Sequence, residues 1–247
     1  MDARAYLDRI GYSGPLEPTL SNLTAIHRAH LLSVPFENLD IPQRPIVLDL
    51  GRLYDKIVLR RRGGFCYECN GLFAWLLRAL GFSLEMLSAR VVGNDGRLGP
   101  EFDHMLLLVD LGQPYIADVG FGNSFLEPLR LVEDEEQPSA GAEYRFHCSG
   151  PRWELQRKEN EAWKLLHDFT LEQHQLGQYC EMCLFHQTSP ESPFTRGRMC
   201  SLATQTGRVT LSDLRLIVTE NGRREERQLA SEEEWRRELE QRFGVVL

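Results

Sequence analysis

The sequence has few of the features that suit a protein to nucleic acid or to a bilayer. Its 247 residues contain 28 Lys and Arg against 36 Asp and Glu, which gives a formal net charge of −8. General nucleic-acid binders carry the opposite excess, because they neutralise phosphates. The longest apolar runs, such as residues 105–109, are far too short to span a membrane. We therefore expect no nucleic-acid partner and no membrane partner, although a local basic patch for a small anionic cofactor remains compatible with the charge.

The N-terminus also lacks the pattern of a secretory signal, since residues 1–8 contain Asp2 and Asp8 and no apolar run. Without such a signal, an even number of cysteines does not imply disulfides. We predict a cytoplasmic protein in which some of the cysteines are buried thiols and one or two carry chemistry. The six are Cys66, Cys69, Cys148, Cys180, Cys183 and Cys200.

The hydrophobic pattern is helical at the start of the chain and changes after residue 83. Leu20, Leu23 and Ile26 share one helical face, and this helix should end before Pro35. A second helix, with Leu77 on its buried face, should begin near Cys66. A final helix is predicted from the capping pair Ser231 and Glu234, with Gly244 beyond its end. No internal repeat and no low-complexity tract is found.

Between these helices the residues alternate as they do in strands. Strands are predicted at 83–92, 102–110, 115–119, 142–156, 162–169 and 209–218, and the stretch 186–200 is interpreted as irregular. Helices followed by strands, rather than alternating with them, predict an α+β fold and not an alternating parallel sheet.

The segment RGGFCYECN (62–70) carries the strongest chemical signal. Gly63 and Gly64 allow a tight turn, and Cys66 follows at the predicted helix start. A thiol there faces unpaired backbone N–H groups and the positive end of the helix dipole, which favour a nucleophilic thiolate. The same N–H groups can stabilise an oxyanion. The main alternative for Cys66 is a buried thiol with no chemical role.

A thiol nucleophile needs an imidazole base and a group that orients the base. If Asp110-Leu111-Gly112 is a three-residue hairpin loop with Gly112 in the left-handed conformation, the pairing is symmetric about Leu111. His104 then lies opposite Asp118 on one face of the sheet. A loop of another parity would separate the two side chains. Taken alone, His104 is better interpreted as a core histidine on a strand, and Asp118 fits a turn residue before Gly120.

Taken together, these motifs resemble the arylamine N-acetyltransferases. The resemblance rests on VPFENLD (34–40), RGGFCYECN, DVGFG (118–122), SPESPFT (189–195) and CSLAT (200–204), and it extends from about residue 20 to about residue 211. It implies a helical bundle at 1–82 that carries the nucleophile and a β-barrel-like domain at 83–172 that carries His and Asp. A shortened α/β lid at 173–247 would complete a core similar to that of cysteine proteases.

The resemblance also implies a ping-pong reaction in which acetyl passes from acetyl-CoA through a Cys66 thioester to arylamines, arylhydrazines or N-hydroxyarylamines. His104 would be the base and Asp118 its orienting acid. No metal is expected, and the protein would be a monomer or a homodimer. The family places the coenzyme near Phe121, Gly122, Thr204 and Thr206, with Gly207 beside them. Phe36 and Phe65, with Phe121, are candidates for the aromatic wall of the substrate site.

Several other interpretations of the same residues stay open. Cys66-x-x-Cys69 and Cys180-x-x-Cys183 also fit a zinc site or a redox pair. A thiol triad also serves proteases, transglutaminases and amide-forming synthases, and a degenerate relative would only bind ligands. Two local roles complete the predictions: an ion pair between Arg62 and Glu37, and ordering of the loop around Cys66 by Glu68 and Asn70.

Overall fold

The computed structural model describes residues 1–41, 43–93 and 95–247. Six α-helices lie within these ranges: α1 (Ala3–Arg9), α2 (Leu20–Ser33), α3 (Leu50–Tyr54), α4 (Cys66–Ala79), α5 (Cys180–Thr188) and α6 (Glu232–Phe243). A π-helical turn, Asp55–Leu59, follows α3 directly, and 3₁₀ turns occupy Leu176–Tyr179 and Pro193–Thr195. The architecture is therefore a mixture of helices and sheets, as the α+β prediction requires.

Thirteen strands are described. They are β1 (Phe36–Glu37), β2 (Ser83–Val91), β3 (His104–Asp110), β4 (Pro114–Ala117), β5 (Leu129–Arg130), β6 (Gln137–Ser139), β7 (Ala142–Ser149), β8 (Arg152–Glu159), β9 (Ala162–His174), β10 (Met199–Thr204), β11 (Gly207–Ser212), β12 (Arg215–Glu220) and β13 (Arg223–Gln228).

The predicted helices begin and end where local chemistry places them. Thr19 caps α2 by accepting the backbone N–H of Asn22 at 3.3 Å, and the helix ends two residues before Pro35. Helix α4 begins at Cys66, as predicted, and the carboxylate of Glu68 accepts the backbone N–H of Phe65 at 3.2 Å. This bond satisfies one of the donors that every helix start leaves unpaired. Gly244 adopts the left-handed conformation at the end of α6.

Eight strands form one curved, near-barrel antiparallel sheet in the order β5-β4-β3-β2-β9-β8-β7-β6. Its central strands bury side chains such as Leu87, Leu106, Phe146 and Phe169. The apolar face of α4 packs against β2 and β3 and forms a second, larger core with the N-terminal helices. This packing brings the start of α4 to the start of β3.

The β3–β4 hairpin differs in register from the prediction. Asp110 remains in the strand and pairs with Pro114, so the loop is residues 111–113 and the pairing is centred on Gly112. The side chain of Asp110 accepts the N–H of Gly112 at 2.8 Å, and Gly112 has φ +79°, as predicted. Moving the centre by one residue shifts each partner by two, so His104 and Asp118 still share a face.

The second sheet has the order β1-β10-β11-β12-β13. One face packs Cys200, Leu211 and Leu216 against Trp235 and Leu239 of α6. The predicted strand 209–218 is in fact two strands, because the chain reverses between Ser212 and Arg215. Within the stretch interpreted as irregular, β10 already begins at Met199. The predicted boundaries of the three domains remain a prediction.

In the described ranges, no helix combines the length and the hydrophobicity that crossing a membrane requires.

Candidate active site

The turn before Cys66 requires both of its glycines. A Cβ on Gly63 would lie 1.9 Å from the carbonyl oxygen of Pro35, and one on Gly64 would lie 2.7 Å from Cβ of Glu68. Only glycine allows the backbone to approach so closely. The turn thereby places Cys66 at the first position of α4, where 3% of the surface of the residue is exposed.

His104 and Asp118 form a buried hydrogen-bonded pair. His104 Nε2 donates to Asp118 Oδ2 at 2.7 Å, and both side chains are almost fully buried. The other carboxylate oxygen, Oδ1, accepts Asn70 Nδ2 at 2.8 Å and the Gly120 N–H at 2.9 Å. Burial alone would raise the pKa of Asp118, but His104 and these donors lower it to about 2. Asp118 is therefore an anion with every oxygen engaged.

The same pair faces the start of α4. Asn70 lies one turn after Cys66, so the two side chains share a face of the helix. Asn70 Nδ2 donates to the backbone oxygen of Met105 at 2.6 Å as well as to Asp118, and Asn70 Oδ1 accepts the N–H of Val119 at 2.9 Å. Asn70 was predicted to order the loop around Cys66, and its hydrogen bonds hold the start of β3, the carboxylate of Asp118 and the residue after it.

Gly120, in the loop after β4, lies in close contact with the first turn of α4. A Cβ on Gly120 would lie 2.7 Å from Cα of Cys66 and 2.7 Å from Asn70 Nδ2. The loop after β4 therefore rests directly on the first turn of α4. Within the helix, Cys69 turns inward and its thiol donates to the carbonyl oxygen of Gly64 at 3.2 Å.

The surroundings of Cys66 raise the pKa of its thiol, whereas the start of a helix alone would lower it. Burial raises the pKa of the Cys66 thiol, and the carboxylates of Asp103 and Asp118 raise it further, while the backbone N–H of Met105 opposes them. A thiol in this position keeps its proton at neutral pH unless a positive charge forms beside it. An imidazolium at this site would supply such a charge.

Two further histidines, neither of which carried a readable sequence signal for this site, support the pair. His27 Nε2 accepts the N–H of Asp118 at 3.0 Å, and Nδ1 donates to the backbone oxygen of Leu126 at 2.9 Å. Burial lowers the pKa of His27 to about 4. The ring of His167 lies 5.7 Å from that of His104, and burial lowers its pKa to about 3. Both rings are neutral at physiological pH.

A buried charge cluster fixes the segment before α4. Arg62 Nη2 donates to Glu37 Oε1 at 2.8 Å, which confirms the predicted ion pair, and it also reaches Asp40 Oδ1 at 3.1 Å. Lys56 Nζ, which the sequence analysis missed, lies 2.8 Å from Glu68 Oε1 and 3.2 Å from Asp40 Oδ2. The cluster links β1, the π-helical turn and the first turn of α4. Glu68 thereby fixes the segment before Cys66, in line with the ordering role predicted for it.

A cavity of about 860 Å³ opens beside the pair. It begins at Phe121, whose ring lies 5.1 Å from that of His104, and it extends between the two sheets. The predicted residues Phe36, Phe121, Gly122 and Thr206 line it, and so does Gly207. The walls also include Asn123, Ser124, Tyr144, Arg157, Ser201, Arg208, Thr210, Thr219 and Arg224.

Two predicted binding residues lie elsewhere. Phe65 is fully buried and packs edge-on against Tyr67, at 5.1 Å between ring centroids, and it does not line the cavity. Thr204 pairs with Gly207 at the end of β10, next to the lining residues Gln205 and Thr206.

No cysteine belongs to the group of described side chains that could bind a metal ion. All six cysteines are free. Among the described residues, the group whose geometry would allow a metal ion is the surface cluster Glu133, Asp134 and His147, which contains no cysteine.

Comparison with known proteins identifies the family. The family model described as N-acetyltransferase matches residues 19–247. The arylamine N-acetyltransferase of Escherichia coli K12 is 36% identical over 245 residues, covering 97% of this chain and 87% of the relative. The solved arylamine N-acetyltransferase of M. tuberculosis superposes with a TM-score of 0.93 at 36% identity, covering 99% of this chain and 94% of that chain.

A second solved structure is informative about ligands. The Mycobacterium marinum arylamine N-acetyltransferase in complex with CoA superposes with a TM-score of 0.92 at 34% identity, covering 99% of this chain and 93% of that chain. Sequence and structure agree over almost the whole length. This chain therefore belongs to the arylamine N-acetyltransferase family of enzymes.

Proposed function

We propose that this enzyme transfers acetyl from acetyl-CoA to arylamines in two steps, through a thioester on Cys66. The observation that carries the proposal is the 2.7 Å bond from His104 Nε2 to Asp118 Oδ2 beside the first turn of α4. Arylhydrazines and N-hydroxyarylamines are further acceptors of the same chemical kind. The cavity that begins at Phe121 has the volume for the coenzyme, and both polar and apolar residues line it.

In the first step, His104 takes the thiol proton of Cys66. Because Nε2 already donates its N–H to Asp118, the free acceptor of the neutral ring is Nδ1. The resulting thiolate and imidazolium stabilise each other, and the Asp118 carboxylate stabilises the imidazolium. This transfer compensates for the burial that keeps an isolated thiol protonated.

The thiolate then attacks the carbonyl carbon of acetyl-CoA. A bond forms between that carbon and Sγ of Cys66, and the bond to the coenzyme sulfur breaks. The imidazolium returns its proton to the departing thiolate, so coenzyme A leaves as a neutral thiol and His104 is neutral again. Backbone N–H groups at the start of α4 would stabilise the oxyanion of the tetrahedral intermediate.

In the second step, the acceptor amine attacks the same carbon. The new carbon–nitrogen bond forms, the bond to Cys66 breaks, and His104 carries the amine proton to the departing thiolate. Water must be kept from the thioester meanwhile, since its attack would release acetate. Phe36 and Phe121, both at the cavity wall, supply apolar surface for that purpose.

The proposal is tested by intact-mass analysis after mixing the enzyme with acetyl-CoA without an acceptor. We expect one acetyl adduct on the wild type and none on Cys66→Ala. Cys180→Ala is the matched control, because Cys180 is an exposed thiol on α5, and it should keep the adduct. Acetylation or turnover that survives Cys66→Ala would contradict the proposal. Peptide cleavage without any adduct would instead support a protease.

A further inference from the structure

The charged residues of the cavity walls are positive, although the net charge of the protein is negative. The chain has a formal net charge of −8, yet the lining contains Arg157, Arg208 and Arg224. Within the described part of the chain, no Asp or Glu lines it. A cleft with charge of one sign between low-dielectric walls concentrates ligands of the opposite sign. The local composition therefore indicates an anionic ligand.

The three arginines differ in what neutralises them. Arg157 forms an ion pair with Glu159, and Arg224 forms one with Glu226. Arg208 donates from Nη1 to the hydroxyl of Ser201 at 3.1 Å and, among the described residues, forms no ion pair. Desolvation lowers the pKa of Arg208 to about 10, which still leaves it charged at neutral pH.

The strand register places the side chain of Arg208 on the face of the sheet that lines the cavity. Side chains alternate between the faces of a sheet, and directly paired residues share a face. Arg208 pairs with Thr219, and Thr219 pairs with Arg224, so the three side chains form one row. Ser201 and Thr210 form the neighbouring row, with their hydroxyls 2.7 Å apart. The opposite face of this sheet packs on α6, so these rows face the cavity.

A half-buried guanidinium without a carboxylate partner carries a desolvation cost that an anionic ligand would offset. Its planar donors match the oxygens of a phosphate, and the Ser201 and Thr210 hydroxyls add donors beside it. Acetyl-CoA carries a diphosphate and a 3′-phosphate, and its thioester lies at the other end of the molecule. The cavity offers the same arrangement, with Phe121 touching His104 and Arg208 on the β11 wall.

We propose that Arg208 binds a phosphate group of the acyl-coenzyme A donor and so selects coenzyme A thioesters over phosphate-free ones. This inference rests on the proposed function, because it concerns the donor of that reaction. Arg208, on β11, would thus determine which acyl donor acetylates Cys66. The selection lies in the first step, since the phosphates leave with coenzyme A before the amine reacts.

The test measures the rate constant for acetylation of Cys66 by three donors: acetyl-CoA, acetyl-dephospho-CoA and S-acetylpantetheine. The readout is the rate constant with acetyl-CoA divided by the rate constant with S-acetylpantetheine. We expect Arg208→Gln to lower this ratio about 10- to 100-fold, as for loss of a charge-assisted hydrogen bond. Arg208→Lys should restore part of it. A loss confined to acetyl-CoA and absent with acetyl-dephospho-CoA assigns the 3′-phosphate, and a loss with both assigns the diphosphate.

The matched control is Arg215→Gln, an exposed arginine at the start of β12 that does not line the cavity. It should keep the wild-type ratio. A ratio within twofold of the wild type in Arg208→Gln, or an equal loss in Arg215→Gln, would overturn the inference. So would an unchanged ratio with a raised KM for a carboxylated arylamine, which would assign Arg208 to the acceptor. If no donor acetylates the wild type, the proposed function fails first, and this inference with it.

Discussion

Replacing Asp118 by Asn probes the tautomer of His104 with almost no change of shape. Oδ1 of Asp118 accepts Asn70 Nδ2 and the Gly120 N–H, whereas Oδ2 accepts only His104 Nε2. An asparagine would keep its oxygen towards the two donors and turn its NH₂ group towards Nε2. The imidazole would then have to accept at Nε2 and carry its proton on Nδ1. That tautomer has no acceptor for the thiol proton of Cys66.

The magnitude has two parts. The net shift of the Asp118 pKa from its ordinary 3.8 to about 2 favours the carboxylate by about 2 kcal/mol, and a neutral amide loses the part of this stabilisation that depends on its charge. The wrong tautomer adds a larger kinetic penalty, since the same change in serine-protease triads costs about 10⁴-fold in kcat. We expect acetylation of Cys66 in Asp118→Asn to be about 10³- to 10⁴-fold slower than in the wild type.

The assay is a single-turnover acetylation by acetyl-CoA, quenched in acid and followed by mass. Asp110→Asn is the matched control: Asp110 is an exposed carboxylate at the hairpin end, and an amide oxygen can still accept the N–H of Gly112. The control should acetylate at the wild-type rate. A folded Asp118→Asn enzyme that acetylates within twofold of the wild type would refute the reasoning about the tautomer.

Three further predictions concern stability. Gly120→Ala should cost about 1–3 kcal/mol and slow acetylation, because its Cβ would lie 2.7 Å from Cα of Cys66; denaturant unfolding and the acetylation assay check this. His27 has a folded pKa of about 4, below its unfolded 6.5, so its contribution is complete above pH 6.5 and is lost as pH falls towards 4. His27→Gln should therefore remove about 2 kcal/mol of the acid-induced loss of stability between pH 7 and pH 4.5, measured by urea unfolding at the two pH values. Lys56→Met should destabilise by about 3–5 kcal/mol, since it leaves the buried Glu68 carboxylate without its cation; an unfolding midpoint equal to that of the wild type would contradict this.

The sequence predicted best those features that depend on neighbouring residues. The start of α4 follows from a glycine pair and a helical period, and the end of α6 follows from Gly244. The shared face of His104 and Asp118 was also predicted, because it depends only on parity. The register was wrong by two residues, since turn propensity could not show that Asp110 continues the strand and pairs with Pro114.

Features that depend on distant contacts were missed for a physical reason. His27 binds the backbone of Asp118 from 91 residues away, and only the packing of α2 against the sheet brings them together. Lys56 joins its carboxylates in the same way. Strand β13 (Arg223–Gln228) is exposed throughout, and every residue before Gln228 is charged, so it has none of the alternation that reveals a half-buried strand.

The central claim is that the acetyl group rests on the sulfur of Cys66 between two half-reactions. The most direct measurement isolates the acetylated enzyme, removes all coenzyme A, and adds an arylamine alone. The account predicts one equivalent of N-acetylarylamine, loss of the thioester mapped to Cys66, and return of the free thiol. Product that forms only when acetyl-CoA and the arylamine are present together, or an acetyl group mapped to another residue, would contradict it.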